Sequence, residues 1–281
     1  MLDICLKRKD KKMTKIITIT SGKGGVGKTV TAINLASALN KLGKEVILVD
    51  GNFTTPNIAI NLGSPVIPIT LNHVLQGKKN IYDAIYEHHS GIKIVPASLS
   101  LKELKGIRTE NFDKIINELK KYADYIIIDS AAGLGKEALI PFQIADELFI
   151  VTNPETAAIT DALKTIKLAE KFSKNKKISI ILNRIRKDKK ELSHKEIKSL
   201  LEKPFIAKIP EDETFRESLM IRDALMHTHP ESDAARAYER LAERIIGNKK
   251  ENKINKEKEE QEVKKLSEKK NNFFSWMFRE E

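Results

Sequence analysis

The sequence is poor in the residues that staple or anchor a chain. Its 281 residues include a single cysteine, Cys5, which excludes an intrachain disulfide framework and any metal site built from several cysteines. No apolar run approaches the roughly 20 residues that a membrane-crossing helix needs, and no secretory leader is visible. Together these absences point to a cytosolic protein. The six histidines show no spacing that defines a metal site, and His88, His89, His227 and His229 read as surface or loop residues. Aromatic residues are only 6% of the chain, so their crowding near the C-terminus is informative.

What is present fits one α/β domain with appendages. The length suffices for a full core. The formal charge of +11 is unevenly spread: residues 1–12 carry five basic against two acidic side chains, and within the domain the excess lies mainly between Lys164 and Lys198. Such a surface could meet DNA or anionic lipid, although solvated helix faces and loops more often explain runs like KNKK and RIRKDKK. Residues 1–12 read as a basic extension, either a disordered arm or a misplaced start, with the second favoured because Met13 immediately precedes the first strand. From 13 to 247 strands alternate with helical patterns: 15–20, 45–49, 92–95, 124–128, 147–152, 178–182 and 205–209 read as strands, several as continuous apolar runs. The expected fold is therefore a mainly parallel sheet flanked by helices.

The loop GKGGVGKT, residues 22–29, fits G-x-x-x-x-G-K-[ST]. The apolar strand KIITITS precedes it and VTAINLASALNKLG follows with Val30, Ile33, Leu35, Ala38 and Leu39 at helical spacing, which is the context this phosphate-binding loop requires. Bare backbone at Gly24, Gly25 and Gly27 lets N–H groups converge on phosphate oxygens at a helix N-terminus. Lys28 should reach the β- and γ-phosphates and the Thr29 hydroxyl should ligate Mg²⁺. Two acids end strands on the same side of the expected sheet, Asp50 after VILV and Asp129 after YIII. Ligands of open α/β sheets bind outside those carboxyl ends, although Asp is also a common turn residue there.

KGGVGKT resembles the deviant Walker A motif of the MinD/ParA family of ATPases. The resemblance runs from about Met13 to Gly247 and includes VILVDGN, YIIIDSAAGLG, IVTNPE, ILNR and IPED; the wording of DGNFTTPN and DSAAGLGKEA is similar to archaeal MinD-like members. It implies a P-loop NTPase fold and an ATP site formed by Gly22, Lys23, Gly24, Gly25, Val26, Gly27, Lys28, Thr29 and Val30. It further implies that Lys23 reaches the phosphates of a partner subunit in an ATP-bridged homodimer. By the same resemblance Asp129 is the Walker B acid, Asp50 belongs to the γ-phosphate switch, and both join Thr29 around Mg²⁺. Asn183 and the loop Pro210, Glu211 and Asp212 match the adenine-side positions; an amide suits adenine by offering a donor and an acceptor.

One departure bears on turnover. Family members commonly carry a second acid where this chain has Asn52. An amide can orient a water but cannot accept its proton, so hydrolysis should be slow, although phosphoryl transfer depends mostly on positioning and charge stabilisation. The alternative is that Asn52 is a turn residue of GNFTTPN. The catalytic set on this reading is Lys23, Lys28, Asp50 and Asn52. Ala131, where the family usually has proline, is a milder departure.

The C-terminus adds a second signal. Residues 248–262 form a charged linker. Residues 263–281 place Phe273, Phe274, Trp276, Met277 and Phe278 on one broad helical arc, with Val263 and Leu266 extending it and lysines nearby. That composition suits an interfacial helix on an anionic membrane surface and resembles the family's membrane-targeting segment. A tail docking on its own domain or another protein is the alternative. The combined expectation is an ATP-dependent dimer, peripheral on the inner face of the cell membrane, that positions a division site or another structure with an unidentified protein partner or activator. A DNA-partitioning ATPase and a nonhydrolysing membrane adaptor are the competing functions; iron–sulfur carriers of the same fold are disfavoured because their bridging cysteines have no counterpart.

Overall fold

Continuous aliphatic runs form the central strands, and each is buried on both faces, as a parallel sheet covered by helices on two sides requires. The structure, a computed structural model, describes residues 13–247 apart from 65, 134, 173–175 and 187–190. The expected extension 1–12, linker 248–262 and helix 263–281, with Phe273, Phe274, Trp276, Met277 and Phe278, lie outside the described residues. The elements begin with β1 (Lys15–Thr20), α1 (Lys28–Lys41), β2 (Val46–Gly51), α2 (Ile58–Asn61), α3 (Leu71–Leu75), β3 (Tyr86–Glu87), β4 (Lys93–Val95), α4 (Phe112–Leu119) and β5 (Tyr125–Ser130). They continue with α5 (Lys136–Ile144), β6 (Glu147–Thr152), α6 (Thr156–Phe172), β7 (Lys177–Ile185), α7 (His194–Leu201), β8 (Phe205–Pro210), α8 (Thr214–Ile221), α9 (Leu225–Thr228) and α10 (Asp233–Ile246).

The strands lie in the order β3-β4-β2-β5-β1-β6-β7-β8. Every pairing is parallel except the two-residue antiparallel edge pair β3–β4. All seven expected strands are present, with ends displaced by up to three residues, while β3 is an addition too short to show a sequence period. β7 extends to Ile185, where its register with β8 shifts and Arg184 takes φ 54°.

Alternation along the strands divides the core. Ile17, Ile19, Leu48 and Ile127 pack with Leu35, Leu39, Tyr238 and Leu241 of α1 and α10. Ile16, Ile47, Ile126 and Ile128 face the other side, against Phe112 and Ile116 of α4. Leu148, Ile150 and Ile180 pack with Ile159 and Ile166 of α6 and Ile197 of α7. Because β1 is central, between β5 and β6, the loops after β1, β2 and β5 meet at one carboxyl edge, the usual place for a ligand in such sheets.

Candidate functional site

The glycine-rich loop is held from two sides. A Cβ on Gly22 would collide with the Asp161 carbonyl and the Thr165 hydroxyl of α6. Gly27 has φ 95°, and a Cβ there would meet the Asn183 amide nitrogen. This backbone region disfavours L side chains, so Gly27 is required by conformation and by space. Asn183 Nδ2 donates to the Val26 carbonyl at 2.8 Å. In contrast, Cβ atoms added at Gly24 and Gly25 would meet nothing within 4 Å. The helix α1 begins directly at Lys28 with no acidic residue in its first turn and no side-chain cap, leaving its terminal N–H groups and partial positive charge for an anion.

Parallel register places Asp50 of β2 beside Asp129 of β5, and both are fully buried. Lys28 Nζ donates to Asp129 Oδ1 at 2.7 Å, and Thr29 Oγ1 donates to Asp129 Oδ2 at 2.6 Å. One carboxylate thus holds the last two side chains of the loop. Asp50 accepts from the backbone N–H groups of Asn52, Asn57 and Ile58 at 3.1–3.2 Å. Burial, and then the neighbouring Asp129 charge, push its pKa up to about 7 against the pull of those amides and of Lys28.

Asn52 is enclosed in a local clasp. Its Nδ2 donates to the Thr55 carbonyl at 2.5 Å, while its Oδ1 accepts from the Thr55 N–H at 3.2 Å and hydroxyl at 3.1 Å. The neighbouring Thr54 donates through its N–H and hydroxyl to the two oxygens of Glu137 at 3.0 and 2.9 Å. This link ties the loop after β2 to the first turn of α5. Glu137 lies within the DSAAGLGKEA segment, but sequence alone assigns it no role of its own. Lys23 pairs with a different acid: its Nζ lies 3.7 Å from Glu155 Oε2, with both side chains exposed.

Two adjoining cavities meet at Gly27, Val30 and Arg184. The first, about 480 Å³, is lined by Gly24, Gly25, Lys28, Thr29 and Asn52. The second, about 880 Å³, is lined by Asn183, Glu211, Asp212, Phe215 and Met220. Asn183 is buried and its Oδ1 has no hydrogen-bond partner among the described residues. Asp212 is a turn-holding residue: its Oδ1 accepts from the Thr214 N–H and hydroxyl and its Oδ2 from the Ala234 N–H. Burial alone would raise its pKa, but those donors outweigh it and hold the carboxyl below its ordinary value. Pro210 ends β8 opposite Ile185, and Glu211 pairs with Arg186 at 3.5 Å. Arg184, exposed and lining both cavities, was not singled out by sequence; its left-handed backbone has no local sequence signature.

The AAA domain family matches residues 14–181. An uncharacterized ATP-binding protein of Methanocaldococcus jannaschii is 39% identical over 88% of this chain and 93% of its own length. The septum site-determining protein MinD of Synechocystis is 35% identical over 84% of this chain and 90% of its own. The structure of the septum site-determining protein MinD complexed with Mg-ADP from Pyrococcus horikoshii superposes with a TM-score of 0.78 at 34% identity, covering 83% of this chain and 96% of that one. Among the described residues no helix is long and apolar enough to cross a membrane. The glycine loop on a central parallel strand, the two acids beside it and this likeness along most of the chain have one explanation: the protein belongs to the MinD/ParA family of P-loop ATPases.

Proposed function

We propose that this chain is a MinD-like switch that binds Mg-ATP, dimerises, gathers on the inner membrane surface and releases after slow hydrolysis. The observation that carries the reading is the joint hold of Asp129 on Lys28 and Thr29 beneath an open glycine loop. The donor set fits the nucleotide and its ion. Lys28 would turn to the β- and γ-phosphates, and the amides from Gly24 to Thr29 would take the remaining phosphate oxygens. Thr29, Asp50 and Asp129 would hold Mg²⁺, which neutralises charge on the phosphates. Asn183, with its unused Oδ1 beside the second cavity, would accept from the adenine amino group, and Glu211 and Asp212 would border the base.

Lys23 would serve the partner subunit, since it stands outside the first cavity on an exposed loop. Asn52 would orient the attacking water only if its clasp on Thr55 opens, so turnover is slow. Membrane association rests on residues 263–281. One short amphipathic segment binds weakly, whereas two on an ATP-bridged dimer gain about 10² to 10⁴ in avidity. The family likeness to septum site-determining proteins supports positioning of a division site or another structure as the output. Ion pairs of Lys164 with Asp161, Lys167 and Lys203 with Glu170, and Lys177 with Glu147 lower the bare positive charge available to DNA.

Calorimetric titration with Mg-ATP, followed by phosphate-release kinetics, tests the assignment. Saturable binding with slow release supports it; absence of binding to the full chain overturns it.

A further inference from the structure

Two adjacent histidines and an aspartate far away in sequence meet at the sheet edge. His88 and His89 lie in the turn between β3 and β4, Asp223 lies between α8 and α9, and one ligating atom from each falls within 4.8 Å of the other two. We propose that His88, His89 and Asp223 form a binding site for a transition-metal dication of the Zn²⁺ class, with a remaining coordination position open to water. The site is independent of the nucleotide loop and of the Mg²⁺ ligands.

One pair of the three already stands near ligand spacing, and the third lies within reach of a side-chain shift. His89 Nε2 and Asp223 Oδ2 are 3.0 Å apart, close to the roughly 3.3 Å between neighbouring ligand atoms of a tetrahedral ion with bonds of about 2.0–2.2 Å. Neighbours already orient the other atoms. His88 Nδ1 lies 2.9 Å from Ser90 Oγ and 3.4 Å from the Ser90 backbone nitrogen, so ligation through Nε2 uses the tautomer in which Nδ1–H donates to Ser90 Oγ. Asp223 Oδ1 accepts from the Ala224 N–H at 2.6 Å and lies 3.1 Å from His227 Nδ1, leaving Oδ2 for the same purpose. Such outer partners fix ring and carboxylate orientation and strengthen ligation. Two imidazoles with one carboxylate suit Zn²⁺, Co²⁺ or Ni²⁺, whereas Mg²⁺ prefers an all-oxygen shell.

Access and placement also fit. His88 is buried and the Asp223 side chain is 11% exposed, while that of His89 is 69% exposed, so the cluster has a supported base and an open mouth. A cavity of about 600 Å³ lined by Val66, Tyr86, His88, His89 and Arg222 adjoins it. His89 and Asp223 are 134 residues apart, so one ion would staple the β3–β4 edge to the segment leaving α8. That helix supplies Phe215 and Met220 to the second cavity, which makes the staple a means of stiffening one wall of it.

The test is calorimetric titration of the untagged full-length chain with Zn²⁺ alone, with Mg²⁺ in excess, and a parallel Co²⁺ titration followed by visible absorption. The expected result is stoichiometric binding, an intense tetrahedral Co²⁺ band and a melting temperature that rises with Zn²⁺. His89→Ala, at an exposed position, should weaken Zn²⁺ by roughly tenfold or more and abolish the thermal shift, while His194→Ala on α7 should change neither. Asp223→Asn should behave as His89→Ala; where it does not fold, His89→Ala decides. No stoichiometric binding, or equal Zn²⁺ affinity in the wild type and His89→Ala, overturns the proposal.

Discussion

Replacing Lys28 with methionine keeps much of the aliphatic stem and removes a cation buried beside two carboxylates. Lys28 is 8% exposed and bonds Asp129 at 2.7 Å, with Asp50 on the adjacent strand and both acids fully buried. Breaking a buried pair from one side costs about 3–5 kcal/mol. The lower end is expected here, since Thr29 still bonds Asp129 and the acid pair can take up a proton. Asp50 already has its pKa pushed to about 7, by burial and then Asp129, with Lys28 opposing the shift. Removing Lys28 pushes it higher. A raised acid pKa means that the folded chain retains a proton which the unfolded chain releases, so stability falls as pH rises from the ordinary carboxylate range through the folded value. The loss in Lys28→Met should therefore be larger at about pH 8 than at about pH 5. Urea midpoints at the two pH values measure it, and equal losses or none would refute the buried charge cluster. The same variant should give no heat with Mg-ATP, and an unchanged affinity would remove the loop assignment.

Lys23→Ala should keep much of the monomer's ATP affinity while ATP-dependent dimerisation and hydrolysis are lost; light scattering that still shows a dimer contradicts the proposed reach across the interface. Gly27→Ala imposes a left-handed backbone on a side chain, at about 1–2 kcal/mol, and displaces Asn183. Its urea midpoint and ATP affinity should both fall, and an unchanged midpoint would show that the Asn183 contact does not constrain the loop. Asn52→Asp keeps an acceptor for Thr55 but loses the bond from Nδ2 to the Thr55 carbonyl. It should raise single-turnover hydrolysis by adding a proton acceptor; an unchanged or lower rate assigns Asn52 to the clasp alone.

The central strands were legible because burial on both faces writes them as aliphatic or β-branched runs, unbroken in VILV and YIII and interleaved with buried threonines in ITIT. The helix after the glycine loop was legible too, from the spacing of Val30, Ile33, Leu35, Ala38 and Leu39 within Lys28–Lys41. The pair β3–β4 was only half legible, since two residues cannot display an alternation. Within the site, the loop and the two strand-end acids carry local patterns, whereas three features arise only from tertiary placement. The Asn52 amide could serve a water or a turn, and only the position of Thr55 shows it engaged in the turn. The bond from Thr54 to Glu137 and that from Asn183 to Val26 join residues 83 and 157 positions apart. The meeting of His88, His89 and Asp223 is equally invisible to spacing, because the β3–β4 turn and the α8–α9 junction come together only once the sheet edge is built.

Nucleotide control of membrane binding is the central claim, and liposome sedimentation measures it directly. The full chain should sediment with anionic liposomes in Mg-ATP or a nonhydrolysable analogue and remain in the supernatant in ADP, because only the bridged dimer engages two C-terminal segments. Deleting residues 271–281 should abolish sedimentation while leaving ATP-dependent dimerisation intact. Equal sedimentation in ADP and ATP, or undiminished sedimentation of the truncated chain, would contradict the account.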